Sequence, residues 1–140
     1  MPTEKAKQLL KLHEGLKLNP YRDTTGHLTI GYGRNLDDKG ITVQEANFML
    51  DNDIAEKAEE VRRYIPWSRD LTRARQDVLI MMCFNLGIHG LLAFRNFLRA
   101  LKRGDYKEAA SHGLDSKWAR QVGRRAEHLM KVIEHGDHDW

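Results

Sequence analysis

Apolar residues recur at helical spacing through most of this chain, and the one stretch that departs from that spacing is short. Ala6, Leu9, Leu10 and His13 share a face of a first helix. Pro2 and Thr3 mark its entry, Glu4 in the first turn suits the helix dipole, and Gly15 stands at its end. Asn19-Pro20 then breaks helicity. Residues 21–36 change character: "DTTG" is turn chemistry, and "HLTIGYG" mixes strand formers with Gly31 and Gly33. A small hairpin or meander is expected there, with glycines where backbone must approach something closely.

Helical spacing resumes after residue 41. Thr42 and Glu45 form a capping-box pattern, with Ile41 placed to staple onto Ala46. Val43, Ala46, Leu50, Ile54, Ala58 and Val61 carry that helix to about Arg63, without a central break, so it can link a small amino-terminal lobe to the rest. "YIPW" ends it. The run Val78 to Phe84 is wholly apolar, is rich in Met and Leu, and stops at Gly87, which predicts a buried core helix rather than a strand. "LLAFRNFLRALKRG" predicts another helix stopping at Gly104, Asp105 with Glu108 a second capping box, and "DSKWARQVGRRAEHLMKVIEHG" two closing helices with a stop near Gly136. The expected fold class is α+β and mostly helical, in one domain, which a chain of 140 residues can support without staples.

Composition narrows the picture slightly. A net charge of +3 suits an anionic partner such as nucleic acid, a membrane surface or a wall polymer, without choosing among them. Cys83 is the only cysteine, so no internal disulfide forms, and its apolar setting predicts a small core residue rather than a nucleophile. No uninterrupted apolar run has the length of a signal peptide or a membrane span, so the expectation is a cytosolic protein without stable membrane insertion.

The candidate chemistry lies beside the strand-like stretch. Glu14 sits at a helix end between Leu12 and Leu16. Apolar surroundings would raise its pKa, as a general acid needs, and a helix C-terminus calls for a compensating proton or cation. Alone, Glu14 reads equally as a solvated glutamate, Asp23 as a turn aspartate bonding its own backbone, and Thr29 as a strand former. Together they make an acid, a base and a hydroxyl to hold a water, the set used in inverting glycoside hydrolysis.

"HEGLKLNPYRDTTGHLTIGYG" resembles the signature of phage-type lysozymes: a glutamate followed by Gly-Leu, an aspartate nine residues on, and Thr-Ile-Gly-Tyr-Gly. "RQDVLIMMCFNLG", "FRNFLRALKRGDYKEAA" and "SKWARQVGRRAEHLMKVI" are similar to later segments of the same family. The resemblance implies a two-lobed lysozyme-like fold, with a small β-bearing lobe at about 13–63 and a helical lobe at about 64–140 on which the first helix packs. It implies a muramidase that cuts the β-1,4 bond between N-acetylmuramic acid and N-acetylglucosamine. Glu14, Asp23 and Thr29 match the family's catalytic positions, and Arg125 matches the arginine that pairs with the catalytic glutamate. Gly33, Phe84 and Asn85 fall where the family meets substrate, although Phe84 also fits a core position. The resemblance further implies peptidoglycan as partner, no cofactor, no metal, no nucleic acid, a monomer, and release from the host cytoplasm to the wall through a holin-type lesion.

The sequence departs from the family at Arg34, where histidine is common, so an ion pair there must be rearranged. His112 and Phe97 occupy variable positions, and residues 36–42 are compact. Three rival readings have their own residues. His135, Asp137, His138 and Asp139 cluster at the tail as a metal set would; "LTRARQDVL" and "SKWARQVGRRAEHL" are basic and helical as in a nucleic-acid module; and a wall-binding relative could keep the fold without catalysis.

Overall fold

A computed structural model of the chain describes residues 3–138; Pro2 and Asp139, named above, lie outside the described residues. The chain divides into two compact units, Met1–Met49 and Leu50–Trp140.

The first unit opens with α1, Glu4–Glu14. Thr3 caps it, its hydroxyl accepting the Ala6 amide at 3.2 Å, and Gly15 ends it at φ 70°. No residue of α1 is buried. Three antiparallel strands follow in the order β1-β2-β3: Lys17–Arg22, Leu28–Gly31 and Arg34–Asn35. The expected meander is present, but β1 begins earlier than residue 21 and contains Pro20. An edge strand tolerates a proline because its outer amides have no partner to lose, and the register is irregular between Lys17 and Tyr21.

After β3, Asn35 caps a single helical turn, α2 (Leu36–Lys39), by accepting the Asp38 amide at 3.1 Å. The sequence pattern had not indicated this element, because four residues are too few to show a period. Next, α3 runs unbroken over Val43–Tyr64, and the division between the units falls within it. Its capping box forms as expected: the Thr42 amide donates to Glu45 Oε1 at 2.8 Å, and the Glu45 amide to Thr42 Oγ1 at 3.1 Å.

The second unit is helical. A 3-10 turn at Pro66–Asp70 leads into α4, Arg73–Leu92, capped by Thr72. Val78, Leu79, Met82 and Cys83 of α4 are fully buried, and burial pushes the Cys83 thiol pKa up, as suits an inert core residue. At Gly87 the backbone turns to φ 76° and ψ 163°, which breaks the helix where expected, before a short helical stretch continues to Leu92. The remaining helices are α5 (Arg95–Lys102), α6 (Tyr106–Leu114), α7 (Lys117–Val122) and α8 (Arg124–His135), the last closed by Gly136 at φ 85°. Phe97 of α5 is buried in this core. The capping box at α6 is only half formed. Asp105 Oδ1 accepts the Glu108 amide at 3.1 Å, but the Asp105 amide already donates to Ala100, and the Glu108 carboxylate pairs with Arg103 instead.

Two contacts explain how tightly this unit closes. A Cβ on Gly113 of α6 would stand 2.2 Å from Met130 Sδ of α8, so only glycine permits that approach. Arg75 of α4 reaches the end of α8, where its Nε donates to the Ile133 carbonyl at 2.7 Å and its Nη2 to the Glu134 carbonyl at 3.1 Å. Its guanidinium also lies 3.4 Å from the centroid of the Tyr106 ring. A cation is thereby set against helix-terminal carbonyls that have no partner within the helix.

In the first unit, the altered position Arg34 has found a new partner. Its guanidinium meets Glu45 with both ends, Nη1 to Oε1 at 2.8 Å and Nη2 to Oε2 at 2.6 Å, and also donates to the Gly40 carbonyl at 3.0 Å. This fork fastens β3 to the start of α3. The Arg34 bonds, followed by the Thr42 amide, hold the Glu45 pKa down at about 2, from an ordinary value of 4.5. A carboxylate with a depressed pKa stabilises the fold above its unfolded pKa and loses that contribution as the pH falls toward its folded one. Glu45→Gln should therefore melt below wild type near neutral pH, and the gap should narrow as the pH falls from 4.5 toward about 2. Thermal unfolding of both proteins across that range checks this.

Candidate active site

The turn that joins β1 to β2 is organised by one oxygen atom. Asp23 Oδ1 accepts three hydrogen bonds: from the Thr25 amide at 2.9 Å, the Thr25 hydroxyl at 2.8 Å and the His27 amide at 2.8 Å. The Asp23 amide donates to the His27 carbonyl, and the Gly26 amide to the Asp23 carbonyl, so backbone and side chain close the same turn. Arg22 adds a bond from Nη1 to the Gly26 carbonyl at 3.1 Å. The His27 amide and then the Thr25 hydroxyl lower the Asp23 pKa, so its carboxylate is ionised at neutral pH. These side-chain bonds fall on Oδ1; among the described residues none falls on Oδ2.

Thr29 lies on the central strand, paired with Tyr21 on one side and Asn35 on the other, and is only 3% exposed. Its hydroxyl donates to the His27 carbonyl at 2.8 Å. The amide and carbonyl of His27 thus link Asp23 to Thr29, and the committed proton leaves the Thr29 oxygen free to accept.

Glu14 is the last residue of α1. It is exposed in this structure, and so are its neighbours Leu12 and Leu16. Gly33, at φ 78°, lies directly against the Glu14 side chain: a Cβ on Gly33 would meet Glu14 Oε2 at 2.7 Å. The positive φ favours glycine here, and the carboxylate at the end of the flexible Glu14 side chain packs against its bare Cα. Lys11 on α1 stands 5.4 Å from the ring centroid of Tyr32, a second contact between α1 and the strand region.

The remaining sequence-selected residues belong to the second unit, where they share one cavity of about 430 Å³. Phe84, Asn85 and Arg125 line it, with Ile80, Met81, Leu129 and Trp118. Phe84 is 46% exposed, so it lines the surface of this cavity and is not a core residue. Asn85 Oδ1 accepts the Trp118 indole N–H at 3.0 Å, and the edge of Phe94 packs on the same ring at 6.1 Å between centroids. Sequence reading gave no role to Trp118, and its signal was only a tryptophan in a basic helix. It also missed Thr25 and His27, whose contacts arise from the turn and not from any period. At the tail, His138 Nε2 lies 2.7 Å from Asp77 Oδ2, and no group of three or more His, Cys, Asp or Glu gathers as a metal set among the described residues.

Comparison with known proteins gives a consistent family. The phage lysozyme family model matches residues 11–132. The chain is 31% identical to the endolysin of Acyrthosiphon pisum secondary endosymbiont phage 1, over 88% of this chain and 84% of that protein. It is 28% identical to probable T4-type lysozyme 1 of Dictyostelium discoideum, over 93% of this chain and 94% of that one. It is also 27% identical to the pre-baseplate central spike protein Gp5 of Enterobacteria phage T4, over 97% of this chain but only 28% of the spike protein's length.

The contact between Gly33 and Glu14 gives a direct test. Gly33→Ala places a methyl group where Glu14 Oε2 now lies and strains a positive φ. The carboxylate, at the end of a flexible side chain, should swing aside, and stability should fall by about 1–3 kcal/mol from the backbone strain. Urea unfolding measures the loss, and a shift in the Glu14 side-chain carboxyl resonance reports the displacement.

Proposed function

The chain belongs to the phage lysozyme family, and from that premise we propose that it is a lysozyme-type peptidoglycan hydrolase, cutting the β-1,4 bond between N-acetylmuramic acid and N-acetylglucosamine. The observation that carries this reading is the Asp23 turn: an ionised carboxylate with one oxygen anchored and the other without a hydrogen bond among the described residues, joined through His27 to Thr29. A carboxylate held in its charged form suits a base and not an acid, so the acid role falls to Glu14.

On this reading the reaction is a single displacement. Glu14 gives its proton to the glycosidic oxygen as the bond to the anomeric carbon breaks. A water donates one hydrogen bond to the free oxygen of Asp23 and the other to the Thr29 hydroxyl, whose own proton is spent on the His27 carbonyl. That leaves a lone pair of the water aimed at the anomeric carbon, and its proton passes to Asp23. Gly33, Phe84 and Asn85 contact the glycan. The substrate is the bacterial wall, reached from the host cytoplasm through a holin-type lesion, and the enzyme acts as a monomer without a cofactor.

Glu14→Gln keeps the shape of the side chain but has no proton to give, so it should abolish clearing of chloroform-treated Gram-negative cells while leaving the far-UV circular dichroism unchanged. Clearing near the wild-type rate would refute the assignment. The stereochemistry follows from the same scheme. A water between base and anomeric carbon needs carboxyl groups about 6.5–9.5 Å apart in the substrate complex, against roughly 5–5.5 Å for a retaining enzyme. The first product should be the α-anomer, observed by proton NMR before mutarotation. An initial β-anomer would make Asp23 or another group a nucleophile and remove the water from Thr29.

A further inference from the structure

We infer that Thr25, oriented by His27, is a positioning residue for Asp23: its hydroxyl fixes Oδ1 so that Oδ2 is the oxygen presented to the attacking water. The inference rests on the hydrolase reading for its consequence, but its geometry stands apart from it. Of the three donors on Asp23 Oδ1, two are backbone amides that many residues at positions 25 and 27 would supply. The third, the Thr25 hydroxyl at 2.8 Å, is the only one that depends on side-chain identity.

That hydroxyl has a second neighbour, His27 Nδ1, at 2.6 Å. A hydroxyl carries one proton and cannot donate to both. If it donated to Nδ1, its oxygen would face the ionised Asp23 oxygen at 2.8 Å with no proton between them, two acceptors in repulsive contact. The proton therefore points to Asp23, and His27 Nδ1 carries a hydrogen that it donates to Thr25 Oγ1. Protonation of His27 leaves this N–H in place, so the relay runs in the same direction in either charge state of the ring.

The charged neighbours of the turn do not supply an alternative anchor. His27 lies on the turn itself, with Nδ1 3.8 Å from Asp23 Oδ1. Arg22 at the end of β1 bonds the Gly26 carbonyl and stands 3.5 Å from Asp37 of α2, which itself accepts the Leu28 amide at 2.7 Å. None of these contacts reaches Oδ2. Thr25 is exposed and the two backbone donors persist without its hydroxyl, so Thr25→Val should fold.

Three measurements test the proposal. Carbon-13 NMR titration of the Asp23 carboxyl should give a midpoint that moves up in Thr25→Val and returns to the wild-type value in Thr25→Ser, which restores the hydroxyl. Nitrogen-15 NMR above the His27 titration should show the Nδ1–H tautomer. On purified peptidoglycan, Thr25→Val should lower kcat about tenfold with little change in KM, and its acid limb should shift upward with the Asp23 midpoint. An unmoved midpoint in Thr25→Val, or the Nε2–H tautomer at His27, overturns the inference whatever the activity. A wild-type protein that releases no reducing ends from peptidoglycan overturns the hydrolase reading instead, while the two NMR measurements still judge the role of Thr25.

Discussion

One carboxylate oxygen, Asp23 Oδ1, sets the geometry on which the small unit depends. Its three hydrogen bonds close the turn, the turn sets the pairing of β1 with β2, and that pairing puts Thr29 on the middle strand with its hydroxyl against the His27 carbonyl. The same bonds favour the charged form of Asp23. Closing the turn and keeping the carboxylate charged are thus done by the same atoms. The cost of this economy is that changes at Asp23 disturb both fold and chemistry, so the neighbouring side chains, Thr25 above all, are the cleaner places to separate them.

The helical unit is held differently. Its core is apolar and continuous from α4 through α8, and burying each large side chain such as Phe97, Leu79 or Met130 contributes about 1.5–3 kcal/mol. Arg75 is the buried charged residue among the described ones. Desolvation lowers its pKa, and the α8 carbonyls, the Tyr106 ring and the charge of Asp137 act against that. A neutral residue of similar length would pack there but would leave the α8 carbonyls without donors, which is the larger penalty. Around the cavity, Asn85 and Phe94 hold the Trp118 ring, so the wall that carries Phe84 and Arg125 is built on fixed side chains.

Arg34 and Glu45 tie two elements of the small unit together. The Glu45 carboxylate both caps α3 and receives the Arg34 fork. Two functions on one side chain tie the strand next to Gly33 to the start of the longest helix. The compact stretch between β3 and α3 makes this possible, because the single turn of α2 brings the Gly40 carbonyl within reach of the same guanidinium.

The sequence by itself determined the longer helices and most of their ends, because a 3.6-residue apolar period, a capping pair such as Thr42 and Glu45, and glycines at 15, 87, 104 and 136 act through local backbone chemistry. It also determined the family and the identity of Glu14, Asp23 and Thr29 as residues to examine, through a motif that is contiguous along the chain. Tertiary structure alone decided the rest. Whether Phe84 is core or surface, which carbonyls Arg75 serves, which carboxylate Arg34 meets, and which side chain lies against Gly33 all depend on residues brought together from separate positions. Even the Thr25–His27 contact, two residues apart in the chain, required the turn to be folded, because its meaning lies in which of two acceptors receives a single proton.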